Sequence, residues 1–257
     1  MAKKSLGQNF LFDRAILSGI VEAAEIGPDD TVIEIGPGHG TLTRLLAEKA
    51  RKLIAIELDH QLCIKLVGEL SGYDNIELIE GDALKFRFEE IDRFKVVANI
   101  PYYITTPVIF RLLEAKQNLE SMTLTIQKEV AERIVAPPGG KDYGVLSIAI
   151  QCFAIPVLNF IVPKEAFHPV PKVDSAVVHI SLRKEPLVSA GAEEFFFKVV
   201  RTAFSQRRKT LSNSLKPFGP AVRDMLAKAE IDPQRRPETL SIEEFKRVAG
   251  LLEENQE

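Results

Sequence analysis

Thr31-Val32-Ile33-Glu34-Ile35-Gly36-Pro37-Gly38-His39-Gly40-Thr41-Leu42-Thr43-Arg44-Leu45-Leu46-Ala47 decides the fold. The first five residues read as a buried strand and the last seven as a helix, with a glycine-rich turn between them. Such a turn, from strand end to helix start, lets a ligand approach the backbone closely. Moving outward, a second strand at 52–56 runs into Glu57-Leu58-Asp59, and a third at 76–80 into Gly81-Asp82-Ala83. A fourth at 94–98 ends at Asn99. Strands alternating with helical stretches imply a doubly wound α/β fold whose parallel sheet binds ligands at the C-terminal strand ends. Polar groups stand at all four ends: Glu34 with Gly36 and Gly38, then Glu57, Asp82 and Asn99. One would be chance; four make a site.

The glycine pattern discriminates between cofactors. A dinucleotide fingerprint GxGxxG starting at Gly36 needs glycine at position 41, where this chain has Thr41; the pattern here is ExGxGxG. An acid at Glu57 suits ribose hydroxyls in either case, but a further acid at Asp82 suits an adenine amine at the next strand end. The mismatch favours S-adenosylmethionine over NAD and leaves a dehydrogenase as the weaker alternative.

Asn99-Ile100-Pro101-Tyr102 groups an amide, backbone carbonyls and an aromatic ring at one strand end. The amide oxygen and a carbonyl of Ile100 or Pro101 can accept both hydrogens of an exocyclic amine, while Tyr102 or Tyr103 stacks on the ring. The plainer reading is a turn after a strand. Phe167 precedes Pro169 and Pro171, so its ring is fixed, either to stack on a base or to fill core. The segment 4–11 is a frayed tail or lies across a ligand. Asp13 reads as the N-cap of an amphipathic helix. Residues 105–113 and 127–134 read as helices, and 122–126, 157–162 and 176–182 as strands. From 185 to 191 the composition is that of a linker, followed by helical pattern only. The expected domains are 1–184, catalytic, and 185–257, helical.

The chain has 257 residues, 46% of them hydrophobic and 27% charged, which suits a globular protein and no disordered one. No apolar run reaches the roughly 18 residues of a membrane span. Cys63 and Cys152 are isolated, and His39, His60, His168 and His179 lack metal-ligand spacing, so neither disulfide nor metal is expected and the location expected is cytoplasmic. The net charge of −3 hides an asymmetry: Lys198, Arg201, Arg207, Arg208, Lys209 and Lys216 occupy a stretch with no acid. With Lys4 at the N-terminus they form a candidate patch for nucleic-acid phosphates, or else a solvated helix face.

These motifs together resemble a known family. LGQNFL at 6–11, EIGPGHGTLT at 34–43, IELD at 56–59, GDAL at 81–84, NIPYYITTP at 99–107, QKEVAERI at 127–134, FHPVPKVDSAVV at 167–178 and FSQRRKTLSNSL at 204–215 match the ribosomal small-subunit RNA adenine dimethyltransferases. The resemblance spans almost the whole chain. It implies a class I S-adenosylmethionine-dependent methyltransferase fold with a seven-stranded, mostly parallel sheet and a helical C-terminal domain. It further implies that Asn9 and Leu11 lie over the cofactor and that Gly36 and its loop approach the methionine part. Glu57 would hold the ribose, Asp82 the adenine, and Asn99 would face the methyl donor, with Asn99, Pro101, Tyr102 and Phe167 forming the catalytic group. The implied reaction is dimethylation of N6 on two adjacent adenosines near the 3′ end of small-subunit RNA. The implied partners are that RNA or the assembling small subunit, met by a monomer without metal or membrane. The remaining alternatives are a large-subunit methyltransferase of the macrolide-resistance type, a DNA adenine methyltransferase and a binding protein without catalysis.

Overall fold

The computed structural model describes residues 8–206 and 208–255. It opens with a short strand β1 (Phe10–Leu11) and helix α1 (Arg14–Ala23), capped by Asp13, whose carboxylate accepts the Ala15 and Ile16 amides. Strands and helices then alternate: β2 (Thr31–Ile35), α2 (Thr41–Ala47), β3 (Lys52–Glu57), α3 (His60–Glu69), β4 (Ile76–Glu80), β5 (Phe94–Asn99), α4 (Thr105–Glu114) and β6 (Leu119–Gln127). Next come α5 (Lys128–Val135), α6 (Val145–Gln151), β7 (Ala154–Val162), β8 (Phe167–His168) and β9 (Ser175–Leu182). Helices α7 (Glu193–Phe204), α8 (Leu211–Ser214), α9 (Val222–Lys228) and α10 (Ile242–Glu254) follow.

Seven strands form one sheet in the order β4-β3-β2-β5-β6-β9-β7. The five from β4 to β6 are mutually parallel, and β9 runs antiparallel to β6. Every residue of β2 is buried, which explains its unbroken apolar run apart from Thr31 and Glu34. Helix α1 packs Leu17 and Ile20 against Val32, Leu46, Leu53 and Val97 in the core beside the sheet. Pro156 stands within β7, which begins before the expected 157 and lies at the sheet edge, where proline is tolerated.

The chain divides into two compact units, Met1–Ala131 with Pro156–Leu182, and Glu132–Ile155 with Arg183–Glu257. The expected boundary at 184 lies two residues after Leu182, and the compact units group Glu132–Ile155 with Arg183–Glu257. Its contacts lie there. Arg183 Nε donates to the Gln151 carbonyl, Leu187 N–H to the Cys152 carbonyl, and Tyr143 packs edge-on to Phe204, all within the second unit. The stretch of linker composition at 185–191 is likewise tied down, with Val188 buried. Helix α6 has no counterpart in the reading above.

Leu53 is fully buried in the central sheet. Leu53→Ala is expected to lower unfolding free energy by about 2–5 kcal/mol, measured by urea titration of the intact chain.

Candidate active site

The parallel register aligns the strand ends. Ile35 of β2 lies opposite Ile56 of β3 and Ala98 of β5, and Glu57 of β3 lies opposite Glu80 of β4. The Gly36 amide donates to the Ile56 carbonyl (2.9 Å) and the Gly81 amide to the Glu57 carbonyl (2.8 Å), so each loop leaves its strand while still bonded to the neighbour. A cavity opens along this edge, lined by Gln8, Asn9, Phe10, Gly36, Gly38, Glu57, Asp82, Asn99, Pro101, Tyr102, Tyr103 and Phe167.

Gly36, Gly38 and Gly40 all have positive φ, at 73°, 60° and 69°. At Gly36 a Cβ would meet no protein atom within 4 Å, so the loop presents bare backbone to open space. At Gly38 a Cβ would fall 2.9 Å from Phe10 Cε1, so glycine here serves close packing as well as conformation.

Glu57 is almost wholly buried, yet held by backbone: Oε2 accepts the Gly38 amide (3.1 Å) and Oε1 the Asp59 amide (2.9 Å). Burial raises its pKa while those two amides lower it. Each oxygen keeps a lone pair for a ligand hydroxyl. Asp82 is half-buried; Oδ1 accepts the Leu84 amide at 2.9 Å, and Oδ2 is open. Asn99 Nδ2 donates to the Asn9 carbonyl at 3.0 Å. The Tyr102 hydroxyl pairs with Ser175 Oγ at 2.9 Å, fixing the ring, whereas Tyr103 is exposed. The Pro101 carbonyl already accepts the Ile104 amide, while the Ile100 carbonyl takes no hydrogen bond among the described residues.

Two sequence-expected residues sit elsewhere. Glu34 and Leu11 line a smaller adjoining cavity that shares Phe10, Gly36, Gly38 and Asn99 with the first. Leu11 is core, packed with Leu17 and Ile20. Glu34 is buried, and its Oε2 lacks a partner. Desolvation pushes its pKa up to about 8; Thr43, near but outside hydrogen-bond geometry, lowers it, and the Glu57 charge raises it. Phe167 is a buried core residue that also lines the cavity.

Pairing of β1 with β8 places the N-terminal segment, Leu11 opposite Phe167 and Phe10 opposite His168. Sequence reasoning offered the segment 4–11 as one that lies across a ligand without singling out Gln8 and Phe10, and missed Ser175 as the partner of Tyr102. The two-residue β1–β8 ladder, the bond from Asn99 to the Asn9 carbonyl and the edge-on contact of Phe10 with His39 bring Phe10 here, and no local pattern announces contacts across that much chain. Of the basic residues, Arg201, Arg208 and Lys209 are exposed in the second unit; Lys4 and Arg207 lie outside the described residues. Among the described residues there is no cluster of three metal-binding side chains, and no helix is long and apolar enough to cross a membrane.

A sequence profile of the family described as ribosomal RNA adenine dimethylase matches residues 1–254. The chain belongs to that family. Relatives named ribosomal RNA small subunit methyltransferase A are 46% identical in Moorella thermoacetica, covering 98% of this chain and 92% of theirs, and 49% identical in Clostridium botulinum, covering 97% and 93%. Among solved structures, a dimethyladenosine transferase from Plasmodium falciparum superposes with a TM-score of 0.85 at 30% identity over 96% of this chain and 98% of that one. The 23S rRNA methyltransferase ErmE superposes with a TM-score of 0.79 at 33% identity over 95% and 100%. This dimethylase therefore has the class I methyltransferase fold, an α/β sheet of seven strands, and is a methyltransferase enzyme.

Ionising Glu34 in this site opposes folding, because its pKa rises from 4.5 to about 8 on burial. Stability should accordingly fall as pH climbs from about 4.5 to 8, by an order of a few kcal/mol. Glu34→Gln is expected to flatten that fall; urea midpoints at about pH 6 and about pH 9 measure it. Gly38→Ala should displace Phe10 and weaken cofactor binding at least about tenfold, an effect of about 1.4 kcal/mol or more, read by calorimetry.

Proposed function

We propose that this protein transfers methyl groups from S-adenosylmethionine to the exocyclic N6 of adenosines in small-subunit ribosomal RNA, giving dimethyladenosine. Asn99 carries the reading: at the strand end, its Nδ2 is engaged by the Asn9 carbonyl, so Oδ1 is left for a substrate donor. The small-subunit substrate is favoured by the higher identity, 46% and 49%, to full-length relatives bearing that name, against 33% to ErmE.

The residues fit the cofactor. Bare backbone at Gly36 and an unpartnered carboxyl at Glu34 suit the polar, cationic amino-acid part, and Glu57 and the open Oδ2 of Asp82 suit ribose and adenine. Asn9 and Gly38 complete the wall, with Leu11 supporting it from the core. S-adenosylmethionine supplies a sulfonium-bound methyl, an electrophile that needs no further activation. The protein's task is then positioning and local electrostatics.

Adenine N6 is a weak nucleophile because its lone pair is delocalised into the ring. Asn99 Oδ1 and the free Ile100 carbonyl accept its two hydrogens, letting the nitrogen pyramidalise. The Pro101 carbonyl is less suited, since it holds the Ile104 amide. Pro101 instead sets the turn, Tyr102, braced by Ser175, stacks on the base, and Phe167 backs it. No strong base is required. After the first transfer one hydrogen remains, so one of the two acceptors must face a methyl group in the second. Arg201, Arg208 and Lys209, with Lys4 and Arg207, contact RNA phosphates and position the strand. The work needs no metal, membrane or second subunit and belongs to the cytoplasm.

The test is transfer of labelled methyl to unmodified small subunits, large subunits and DNA. Dimethyladenosine from small subunits alone is expected; label in large-subunit RNA would move the protein to the other branch, and no label would leave a binding protein. Asn99→Ala should abolish both transfers with cofactor affinity largely kept; loss of affinity in step with activity would contradict its role. Replacing Arg201, Arg208 and Lys209 by serine should flatten the slope of log affinity against log salt by about 0.7 per phosphate contact removed; an unchanged slope rules the patch out.

A further inference from the structure

We infer that the backbone carbonyl of Asn9 is a positioning group for catalysis, fixing which end of the Asn99 amide faces the substrate. This rests on the reading of Asn99 as the acceptor for the target amine and goes beyond it. A side-chain amide has two unlike ends of nearly the same shape, a donor NH2 and an acceptor oxygen. Turned one way, Asn99 accepts the hydrogen of an amine; turned the other, it sets its own NH2 against that amine and repels it. Nothing in the Asn99-Ile100-Pro101-Tyr102 stretch chooses between the two.

The Asn9 carbonyl chooses. A carbonyl oxygen can only accept, so the Asn99 atom that lies 3.0 Å away must be Nδ2, and Oδ1 is directed to the other side. The Asn9 carbonyl is itself held in place. The next two residues, Phe10 and Leu11, pair with His168 and Phe167, and Leu11 is anchored in the core. One short ladder therefore seats Phe167 beside the cavity and orients Asn99 in it. It also supplies a reason for asparagine over aspartate at this position. An ionised aspartate here would set one oxygen against the Asn9 carbonyl, acceptor against acceptor. A protonated one could donate to that carbonyl and still offer its other oxygen.

Asn99→Asp thus gives a signed test. The groups lining the two cavities around position 99 include Glu34, Glu57, Asp82, His39, Tyr102 and Tyr103; negative charge on Glu57 and Asp82, joined by Glu34 as it ionises toward about pH 8, favours the protonated form of the introduced carboxyl and outweighs the opposite pull of the cationic cofactor. Methyl transfer by Asn99→Asp, divided by that of the wild type at each pH, is expected to fall at least about tenfold between about pH 6 and about pH 8.5. A ratio that is flat or rises with pH, as for a carboxylate that simply accepts more strongly, overturns the inference, and so does a variant inactive at both ends. A second readout needs no substrate. The Asn99 side-chain amide protons, assigned by their loss in Asn99→Ala, should exchange with solvent at least about tenfold more slowly than those of exposed Asn255. Equal rates overturn the inference. Wild-type transfer to RNA adenine reports separately on the functional reading, so the two can fail independently.

Discussion

The site depends on one constraint, the parallel pairing of β4, β3, β2 and β5. Parallel strands end at the same edge, and hydrogen bonds that slant between neighbours carry each loop one residue past its strand before it is released. The Gly36 amide bonded to Ile56 and the Gly81 amide bonded to Glu57 are those last rungs. Beyond them the backbone turns away, leaving Glu57, Asp82 and Asn99 around a single opening. An antiparallel order would have sent alternate ends to opposite sides and scattered the same residues.

The polar groups at this edge are managed differently. Glu57 is buried but satisfied by the Gly38 and Asp59 amides, so it is a fixed feature of the folded protein. Glu34, one strand over, has an oxygen with no partner and a pKa pushed up to about 8. A buried carboxyl left in that condition costs stability, and it is relieved by a positive charge nearby. The cationic cofactor of the proposed reaction brings such a charge. A contribution to folding has been given up at the position where binding can regain it.

Much of this was legible in the sequence, for physical reasons that differ from residue to residue. The glycine turn and the acids after β3 and β4 are local: strand period, turn chemistry and position follow from neighbours in the chain. Asp13 as a helix cap and the strand ending at Asn99 are of the same kind. What escaped reading is non-local. Phe10 and Gln8 reach the cavity through pairing of β1 with β8 and through contacts with Asn99, His39 and Asp59, and Ser175 braces Tyr102 from a strand far along the chain. The membership of helix α6 and of Tyr143 before it in the second unit rests on contacts with Arg183 and Phe204 that no periodicity reveals. Which cavity Glu34 and Leu11 line is likewise set by packing from distant segments and not by local pattern.

On the proposed function, the methyl donor and the target amine meet at this edge. A crystal structure of the protein grown with S-adenosylmethionine tests it most directly. Ribose hydroxyls on Glu57, the adenine amine within hydrogen-bond distance of Asp82, and the methyl group directed at the space beside Asn99 Oδ1 are expected. Cofactor bound with its methyl turned away from Asn99, or seated elsewhere on the molecule, would contradict it.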